Sequence, residues 1–484
     1  MGLLGILVGL LLLVWLAFRG WSVLVLAPAA ALVAAAFGGE PLLANWTQTF
    51  MGSAATFLAQ FFPLFLLGAV FGKLMEDSGS VTAVADFMTE KLGKGRAMLA
   101  VVLAGAAVTY GGVSLFVAFF VLAPMAQALF RAAAIPGRLM PAAIVLGTST
   151  FTMSALPGTP SIQNAIPMPF FGTTPFAAPG LGIVASLIML GFGLWWLHRA
   201  EQAACRRGEG YGVETAVQPD AAADDQHVRE RATTAREFDP AEIHRGEQSV
   251  SAPSALIAAL PLAVVVAVNL AMSFAVLPRL DFSFLAEERF GGTSISAVAG
   301  VWSVVVALAA AIVVVIACNR RRLPALRQSV DAGANASALP ALSVASLVGF
   351  GAVVAALPAF VTVRDWVLAI EGGPLVSLAV ATNVLAALTG SASGGLTIAL
   401  DALGDTYMKI AAEIGLNPAL MHRVAVIGSG TLDLLPHNGA VVSLLAVCGM
   451  SHRESYFDIV MVGIVSAILA LVAVIVLGSV VGSF

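Results

Sequence analysis

Long apolar runs separated by short polar segments dominate the hydrophobic pattern of this chain. A helix needs roughly 18 or more apolar residues to cross a bilayer, so these runs predict about ten membrane-spanning helices. The predicted spans are 3–18, 21–38, 50–73, 138–164, 179–197, 254–277, 294–318, 337–358, 418–446 and 456–480. The pattern therefore indicates an all-α polytopic membrane protein.

Two further apolar stretches, 97–133 and 376–411, are too long for one span and are interrupted near the middle. The interruptions read Tyr110-Gly-Gly and Thr389-Gly-Ser-Ala-Ser-Gly-Gly395. Glycine costs about 1 kcal/mol inside a helix, so two or three together favour a turn. We predict that both stretches are re-entrant hairpins, which enter and leave the membrane on one side.

The two halves of the chain repeat each other. The same interval of 279 residues separates three matching pairs, namely Gly72 and Gly351, Ser114 and Ser393, and Pro157 and Pro436. Hydrophobic segments broken by Gly or Pro at matching positions are typical of secondary transporters, whose sites lie at the breaks. We predict an N-terminal repeat over residues 1–199, with broken helix 138–164, and a C-terminal repeat over residues 253–484, with broken helix 418–446.

Residues 200–252 are rich in Glu, Asp, Arg and Ala and have no apolar period. This composition predicts a mobile linker. We expect a passive tether, from which residues 205–245 can be deleted without loss of transport. Short amphipathic helices at Val81–Lys94 and Val361–Glu371 are expected to lie along the two membrane interfaces.

The basic residues indicate the orientation. They collect at Arg19, at Lys91, Lys94 and Arg96, at Arg131 and Arg138, at Arg199, Arg206 and Arg207, and at Arg320 to Arg322. The positive-inside rule makes these segments cytoplasmic, as is the linker. Both termini are then outside. Span 50–73 runs inward and 337–358 runs outward, so the repeats are predicted to be inverted.

Composition narrows the class of protein. Hydrophobic residues make up 59% of the chain and charged residues 11%, whereas soluble domains carry about 25% charged residues. The three cysteines are far apart, so we expect neither a disulfide framework nor a metal site. We also expect no cofactor and no nucleic-acid partner.

Four interruptions are predicted to meet in the membrane: the hairpin tips Tyr110–Ser114 and Thr389–Gly395, and the helix centres Ser154–Asn164 and Asp433–Gly439. Each break frees backbone N–H groups at a helix start, where anions bind well. No Lys or Arg falls at these breaks, so we expect helix ends and hydroxyl groups to hold an anionic substrate. The alternative is that the small residues only permit close helix packing.

Candidate substrate-site residues follow from these breaks. They are Ser114, Pro157, Gly158, Thr389, Ser391 and Ser393. If sodium drives transport, backbone carbonyls with the hydroxyls of Thr148, Ser149, Ser393 and Ser429 could coordinate it.

Asp433 and His437 are the ionisable residues within a break, and their counterparts in the first half are Ser154 and Gly158. A charge at membrane depth is expensive and usually marks an ion path. The two residues are candidates for a pair that couples proton movement to transport. In a second version, Asp433 alone is the proton-coupling group and His437 contacts the substrate. The alternative is a buried polar pair that only fixes the loop.

Other ionisable residues are assigned to the membrane surface. Lys73, Glu76 and Asp77 follow a predicted span, so we expect them to be solvated at the interface. His422 and His452 lie near span ends.

Two segments resemble the signature of a known transporter family. They are Phe71-Gly-Lys-Leu-Met-Glu-Asp-Ser-Gly79 and Leu156-Pro-Gly-Thr-Pro-Ser-Ile-Gln-Asn164, which is followed by Phe171-Gly-Thr-Thr174. Over nearly the whole chain outside residues 200–252, the sequence resembles the gluconate:proton symporter family. This resemblance implies two inverted repeats, often a homodimer, and a bacterial inner-membrane importer of small organic acids, usually coupled to protons.

One motif departs from the gluconate permeases, which carry a Ser-His-Val-Asn-Asp-like stretch where this chain has Leu435-Pro-His-Asn-Gly-Ala440. The Leu-Pro-His-Asn form is similar to that of short-chain hydroxy-acid carriers, such as 3-hydroxybutyrate permeases. On this resemblance the substrate-site candidates also include Thr159, Gln163, Asn164, His437 and Asn438.

We therefore predict a proton-driven symporter for a short-chain hydroxy- or ketocarboxylate. Sodium coupling and transport of gluconate or another sugar acid are the alternatives. A passive channel would need a continuous polar stripe along whole helices, whereas the polar residues here cluster at the breaks. An enzyme is not expected, because the sequence has no convincing metal-ligand set or nucleophile motif.

Overall fold

The computed structural model describes residues 2–19, 21–211, 238–436 and 438–484, and within these ranges the chain is helical with no strand. The helices of the first half are α1 Gly2–Phe18, α2 Val23–Gly38, α3 Leu42–Asp77, α4 Ser80–Leu92, α5 Ala97–Tyr110, α6 Leu115–Ala132, α7 Met140–Thr148, α8 Phe151–Ser154, α9 Ile162–Ala165, α10 Pro167–Phe171 and α11 Pro179–Arg206. Those of the second half are α12 Ala255–Arg279, α13 Ile295–Asn319, α14 Leu326–Ala356, α15 Phe360–Leu368, α16 Pro374–Thr389, α17 Ala392–Ile414, α18 Pro418–Thr431, α19 Gly439–Val447 and α20 His452–Val481.

The prediction of an all-α polytopic membrane protein is confirmed. Among the described residues, seven helices are long and apolar enough to cross a membrane, namely α3, α6, α11, α12, α13, α14 and α20. The sequence predicted about ten spans. Four predicted spans are not among the seven, because α1 and α2 have only 17 and 16 residues and because 138–164 and 418–446 are each broken into shorter helices. The seventh helix is α6, which the sequence predicted as an arm of the first hairpin.

Each half has the same order of helices: two apolar helices, one long helix, one short amphipathic helix, a helical hairpin, a broken helix and a final long helix. The hairpins are α5–α6 and α16–α17, whose arms pack against each other. Turns lie at the interruptions that the glycine clusters predicted. Entry and exit of each hairpin on one side of the membrane stays a prediction.

The matching long helices of the two halves pack against each other in opposite directions. A Cβ atom added to Gly333 on α14 would lie 2.7 Å from Val70 Cα on α3, and one added to Gly349 would lie 2.8 Å from the Phe50 carbonyl oxygen. Residue numbers therefore rise along α14 as they fall along α3. This antiparallel relation is the one that inverted repeats require.

The final helices α11 and α20 repeat this relation. The Gly180 N–H donates to the Phe484 carbonyl at 2.8 Å, while Trp196 Nε1 donates to Asp458 Oδ1 at 2.9 Å near the opposite ends. Two pairs of equivalent helices are thus antiparallel neighbours, which brings the hairpins and broken helices of both halves into one structural unit.

The expectation that Lys73, Glu76 and Asp77 are solvated is wrong. They form the last turn of α3, and they are 0%, 5% and 0% exposed. Lys73 Nζ lies 3.3 Å from Glu76 Oε2 and 3.0 Å from Asp77 Oδ1, the second contact being an ion pair without hydrogen-bond alignment. Lys73 offsets one of the two negative charges, and Gln248 Nε2 donates to Glu76 Oε1 at 3.1 Å, so partners within the protein stabilise the buried cluster.

The segment 238–251 covers this charged cluster. Lys73 Nζ donates to the Ile243 carbonyl at 2.6 Å, the Ser249 N–H donates to the Asp77 carbonyl at 2.8 Å, and Phe238 is fully buried. The described end of the predicted mobile linker is therefore packed against α3. A deletion that reaches residue 245 would remove the carbonyl that binds Lys73. Residues 212–237 of the predicted linker lie outside the described residues.

Close approach of α3 and α14 is predicted to depend on Gly333. Gly333→Ala should lower the free energy of unfolding by about 1–3 kcal/mol, because the added methyl meets the backbone of α3 and not a side chain that can move. Thermal melting of the detergent-solubilised protein measures this loss. Gly52→Ala is the matched control, since a Cβ there meets nothing within 4 Å. Equal melting temperatures for the two variants would contradict the proposed packing constraint.

Candidate functional site

The tip of the first hairpin lies against the first break. The Tyr110 hydroxyl donates to the Pro157 carbonyl at 2.7 Å. Gly112 has φ +95°, and a Cβ there would lie 3.2 Å from Pro160 Cγ. Glycine suits this turn because it adopts positive φ without strain and lets the broken helix approach. Thus two interruptions that are far apart in the sequence form one contact.

Backbone groups freed by the first break are held by side chains. The Gly158 carbonyl accepts from Asn269 Nδ2 at 3.0 Å, and its N–H donates to the Pro175 carbonyl at 2.9 Å. Asn164 Nδ2 donates to the Thr159 and Pro175 carbonyls, each at 3.0 Å. Such pairing allows irregular backbone to exist inside a membrane protein.

The second hairpin tip is joined to the second break by a carboxylate. Asp433 Oδ1 accepts from the Ala392 N–H at 2.9 Å and from Asn438 Nδ2 at 2.8 Å. Asn438 Nδ2 also donates to the Gly390 carbonyl at 2.9 Å, and its Oδ1 caps α19 at the Ala440 N–H, 2.8 Å away. Ala392 is the first residue of α17, so Asp433 places a negative charge at the positive end of that helix.

The predicted hydroxyl residues of the second tip bond within that tip. Ser391 Oγ accepts from the Gly394 N–H at 3.1 Å and lies 3.2 Å from Ser393 Oγ. Thr389 Oγ1 donates to the Leu385 carbonyl at 2.8 Å. The described polar groups of this tip are therefore paired inside the protein.

Polar side chains around the first tip are buried but unpaired. Within the described part of the chain, four atoms there have no hydrogen-bond partner: Ser114 Oγ, Thr159 Oγ1, and both amide atoms of Gln163. Ser114 precedes the first residue of α6 and makes no side-chain cap bond. Buried polar atoms are nearly always paired with protein, water or a ligand, so these atoms are candidates for contact with a bound molecule.

A cavity of about 40 Å³ opens at the same tip. Its wall includes Thr109 and Gly112 from the hairpin, Pro160 and Ser161 from the break, and Phe65 from α3. The cavity has both apolar and hydroxyl-bearing walls, as small-molecule sites do. The first tip is therefore the candidate site.

Two residues from the second half bind the first break, and the sequence did not identify either. His422 is fully buried on α18, with Nε2 3.1 Å from Asn164 Oδ1 and Nδ1 2.6 Å from Thr173 Oγ1. Arg423 donates to the Ala177 carbonyl at 2.6 Å and to the Ser154 carbonyl at 3.3 Å. His422 lies near the start of α18, as the sequence indicated, but it is buried, and Arg423 reaches the first break although it lies outside the breaks in the sequence.

Arg423 is a buried cation at the edge of the first break. It is fully buried, and its described bonds are all to carbonyl oxygens, with no carboxylate among them. Carbonyl groups offset only part of a full positive charge, so this guanidinium makes the surroundings electropositive. The one sequence signal for it was an His-Arg pair within a helix that is otherwise apolar.

The remaining predicted residues are located as follows. Thr148 and Ser149 are buried neighbours, with their hydroxyl oxygens 3.2 Å apart, and Thr148 donates to its own helix at Ile144. Ser429 likewise donates to Val426. His437 lies outside the described residues.

Comparisons with known proteins agree on a transporter. Residues 1–168 match the GntP family permeases. The chain is 39% identical to the uncharacterized transporter YxjC of Bacillus subtilis (strain 168), over 98% of both chains. The solved structure of Neisseria gonorrhoeae MtrF, which illuminates a class of antimetabolite efflux pumps, aligns with a TM-score of 0.54 at 15% identity, over 94% of this chain and 93% of MtrF. At that identity the likeness concerns the fold.

The contact between the two broken helices is predicted to depend on Arg423. Arg423→Met should lower the free energy of unfolding by about 2 kcal/mol or more, because buried carbonyls at Ala177 and Ser154 lose their donor. Arg423→Lys, which keeps a charged donor, should lose less. Melting temperatures of the purified variants check this order, and a methionine variant as stable as the native protein would refute it.

Proposed function

The chain belongs to the GntP family of permeases, and on this premise we propose that it imports a short-chain hydroxy- or ketocarboxylate, such as 3-hydroxybutyrate, by proton symport. It is a multi-pass membrane transporter and not an enzyme. The proposal places it in a bacterial inner membrane with both termini outside, the linker in the cytoplasm, and two copies in a homodimer.

The single observation that carries the proposal is the set of unpaired polar atoms at the first hairpin tip and in the first break. Ser114 is 6% exposed, and Thr159 and Gln163 are each 1% exposed. The first N–H groups of α6 have no partner within their own helix, and this end carries roughly half a positive charge. A substrate carboxylate would accept hydrogen bonds from these amides and from the Ser114 hydroxyl.

The remaining unpaired groups favour a second polar function on the substrate. The Gln163 amide can both donate and accept, as can the Thr159 hydroxyl. A hydroxyl or keto group a few bonds from the carboxylate would pair with either.

The buried positive charge of Arg423 supports an anionic substrate. Arg423 contributes a buried positive charge through its contact with Ser154, at the edge of the first break. In a medium of low dielectric constant such a charge acts over a longer distance than in water. Release of the substrate remains possible because the guanidinium bonds carbonyl groups and makes no described bond to the site hydroxyls.

Asp433 is the proposed proton-coupling group. It is buried at 2% exposure within the second break, and ionisable residues inside membrane proteins commonly lie on proton paths. Its contact with the Ala392 N–H joins protonation to the position of the second hairpin. Protonation removes the negative charge that the N-terminus of α17 stabilises. The contact between Asp433 and the second hairpin is then weaker, and the hairpin can change position.

Uptake of labelled 3-hydroxybutyrate into proteoliposomes tests the proposal. Accumulation under a pH gradient alone supports proton symport of this substrate class. Accumulation only under a sodium gradient would replace protons by sodium, with Thr148, Ser149, Ser393 and Ser429 as ligand candidates. Uptake under neither gradient, while gluconate is accumulated, would favour a sugar-acid permease.

Ser114→Ala should weaken substrate binding without destabilising the protein. The hydroxyl has no described partner, so its removal leaves no protein group unpaired, whereas a bound carboxylate loses a charge-assisted bond that corresponds to roughly tenfold in affinity. The measurements are the substrate concentration that gives half-maximal uptake and the melting temperature of the purified variant. Ser466→Ala, which removes a hydroxyl that bonds only its own helix, is the control. Unchanged affinity in Ser114→Ala would argue against this carboxylate position.

Asp433→Asn should abolish accumulation driven by a pH gradient. The amide oxygen can still accept from the Ala392 N–H, but the side chain no longer binds a proton in this pH range. Comparison of gradient-driven uptake with exchange of labelled for unlabelled substrate, which needs no net coupling, separates coupling from binding. Normal accumulation in this variant would rule out Asp433 as the coupling group.

A further inference from the structure

The first break has a further unpaired polar atom beside it, on a helix of the second half. Asn269 on α12 is fully buried, and its Nδ2 donates to the Gly158 carbonyl at 3.0 Å. A carbonyl oxygen can only accept, so the orientation of this amide is fixed, with Nδ2 toward the break and Oδ1 as the other atom of the same planar group. Among the described residues, Asn269 Oδ1 has no hydrogen-bond partner.

Helix α12 borders both parts of the candidate site. At the hairpin tip, a Cβ atom added to Gly111 would lie 2.9 Å from Leu262 Cβ on α12. At the break, the Phe274 ring of α12 lies 5.3 Å from the Phe176 ring, measured between centroids, and the Phe176 ring is what a Cβ atom on Gly158 would meet. The second half therefore contributes one wall to the first tip and the first break.

A second buried hydroxyl follows on the same helix. Ser273 is 7% exposed, and its Oγ has no partner within the described part of the chain. Ser273 comes four positions after Asn269, a spacing that places two side chains on one side of a helix. The helix changes to π geometry over Met272–Val276, and single π turns inside α-helices are frequent at functional sites.

The chemistry of Asn269 Oδ1 decides which group it can bind. This atom only accepts hydrogen bonds, as do the oxygens of a carboxylate and of a ketone, whereas an alcohol hydroxyl can donate one. A keto group in this position would leave a buried acceptor unpaired, which is unfavourable. Asn269 bonds the residue directly before Thr159, whose hydroxyl is also unpaired. The free acceptor at the break therefore favours a ligand hydroxyl.

We propose that Asn269, together with Ser273, accepts a hydrogen bond from the hydroxyl group of the substrate, so that the transporter prefers a hydroxy acid to the keto acid with the same carbon skeleton. This inference rests on the proposed function and narrows it from hydroxy- or ketocarboxylates to hydroxycarboxylates. Asn269 is thereby a specificity-determining residue that the second half supplies to the first break.

Competition between two acids tests the proposal. The probes are 3-hydroxybutyrate and acetoacetate, which share a four-carbon skeleton and one carboxylate and differ in having a hydroxyl or a ketone. Exchange of labelled 3-hydroxybutyrate in proteoliposomes is measured while either unlabelled acid competes. Half-inhibition of the native protein should need a roughly tenfold or higher concentration of acetoacetate, because the ketone leaves Asn269 Oδ1 unpaired. Equal concentrations would overturn the inference and leave the proposed function in place.

Asn269→Leu removes the acceptor at similar volume. The ratio of the two half-inhibition concentrations should fall to about twofold or less, because neither acid then has an acceptor to meet. Loss of the bond to Gly158 alters the break for both acids alike, so the ratio isolates recognition of the hydroxyl. Asn319→Leu is the matched control, since this buried amide on α13 donates to Val315 in its own helix, and it should keep the native ratio. A native ratio in Asn269→Leu would contradict the proposal.

Ser273→Ala keeps the inference testable if Asn269→Leu does not fold. The hydroxyl has no described partner, so the melting temperature should stay native while the ratio falls by about threefold. Ser303→Ala on α13, which removes a buried hydroxyl bonded to its own helix at Gly300, is the control. A native ratio in Ser273→Ala would then overturn the inference. If the native protein exchanges neither 3-hydroxybutyrate nor any related monocarboxylate, the proposed function itself fails.

Discussion

Every interruption of a helix inside a membrane protein leaves backbone N–H and carbonyl groups that water cannot satisfy, and the structure depends on how those groups are paired. Here the hairpin tips and the broken helices supply one another's partners. Tyr110 binds the Pro157 carbonyl in the first half, and Asp433 binds the Ala392 N–H in the second. The breaks are therefore fixed by contacts between interruptions, and the buried atoms at the first tip and break that have no described partner form the candidate substrate site.

Close packing of the scaffold holds these contacts in place. Gly333 and Gly349 let α14 lie directly on α3, and the two final helices run side by side in opposite directions. Interiors packed this closely transmit strain instead of absorbing it. The charged turn at Lys73 and the segment that covers it complete one end of α3, so that part of the linker belongs to the packed structure.

The two halves differ in the charged side chains at their breaks. Asp433, which bonds the Ala392 N–H in the second half, corresponds to Ser154 in the first. Arg423 adds a second asymmetry, because it binds the first break from the second half and has the apolar Ile144 as its counterpart.

The sequence by itself determined the class of protein, most of its long helices and the places where helices are interrupted, because apolar run length and glycine or proline placement act locally along the chain. It also located Ser114, Thr159 and Gln163 at a break. Only the tertiary structure decided which polar groups are paired. The bonds of Arg423 to Ser154, of Lys73 to Ile243 and of His422 to Asn164 join residues that are 269, 170 and 258 positions apart. No local pattern encodes such bonds, since they depend on how the helices pack, and this packing buries Lys73 and leaves the Ser114 hydroxyl without a partner.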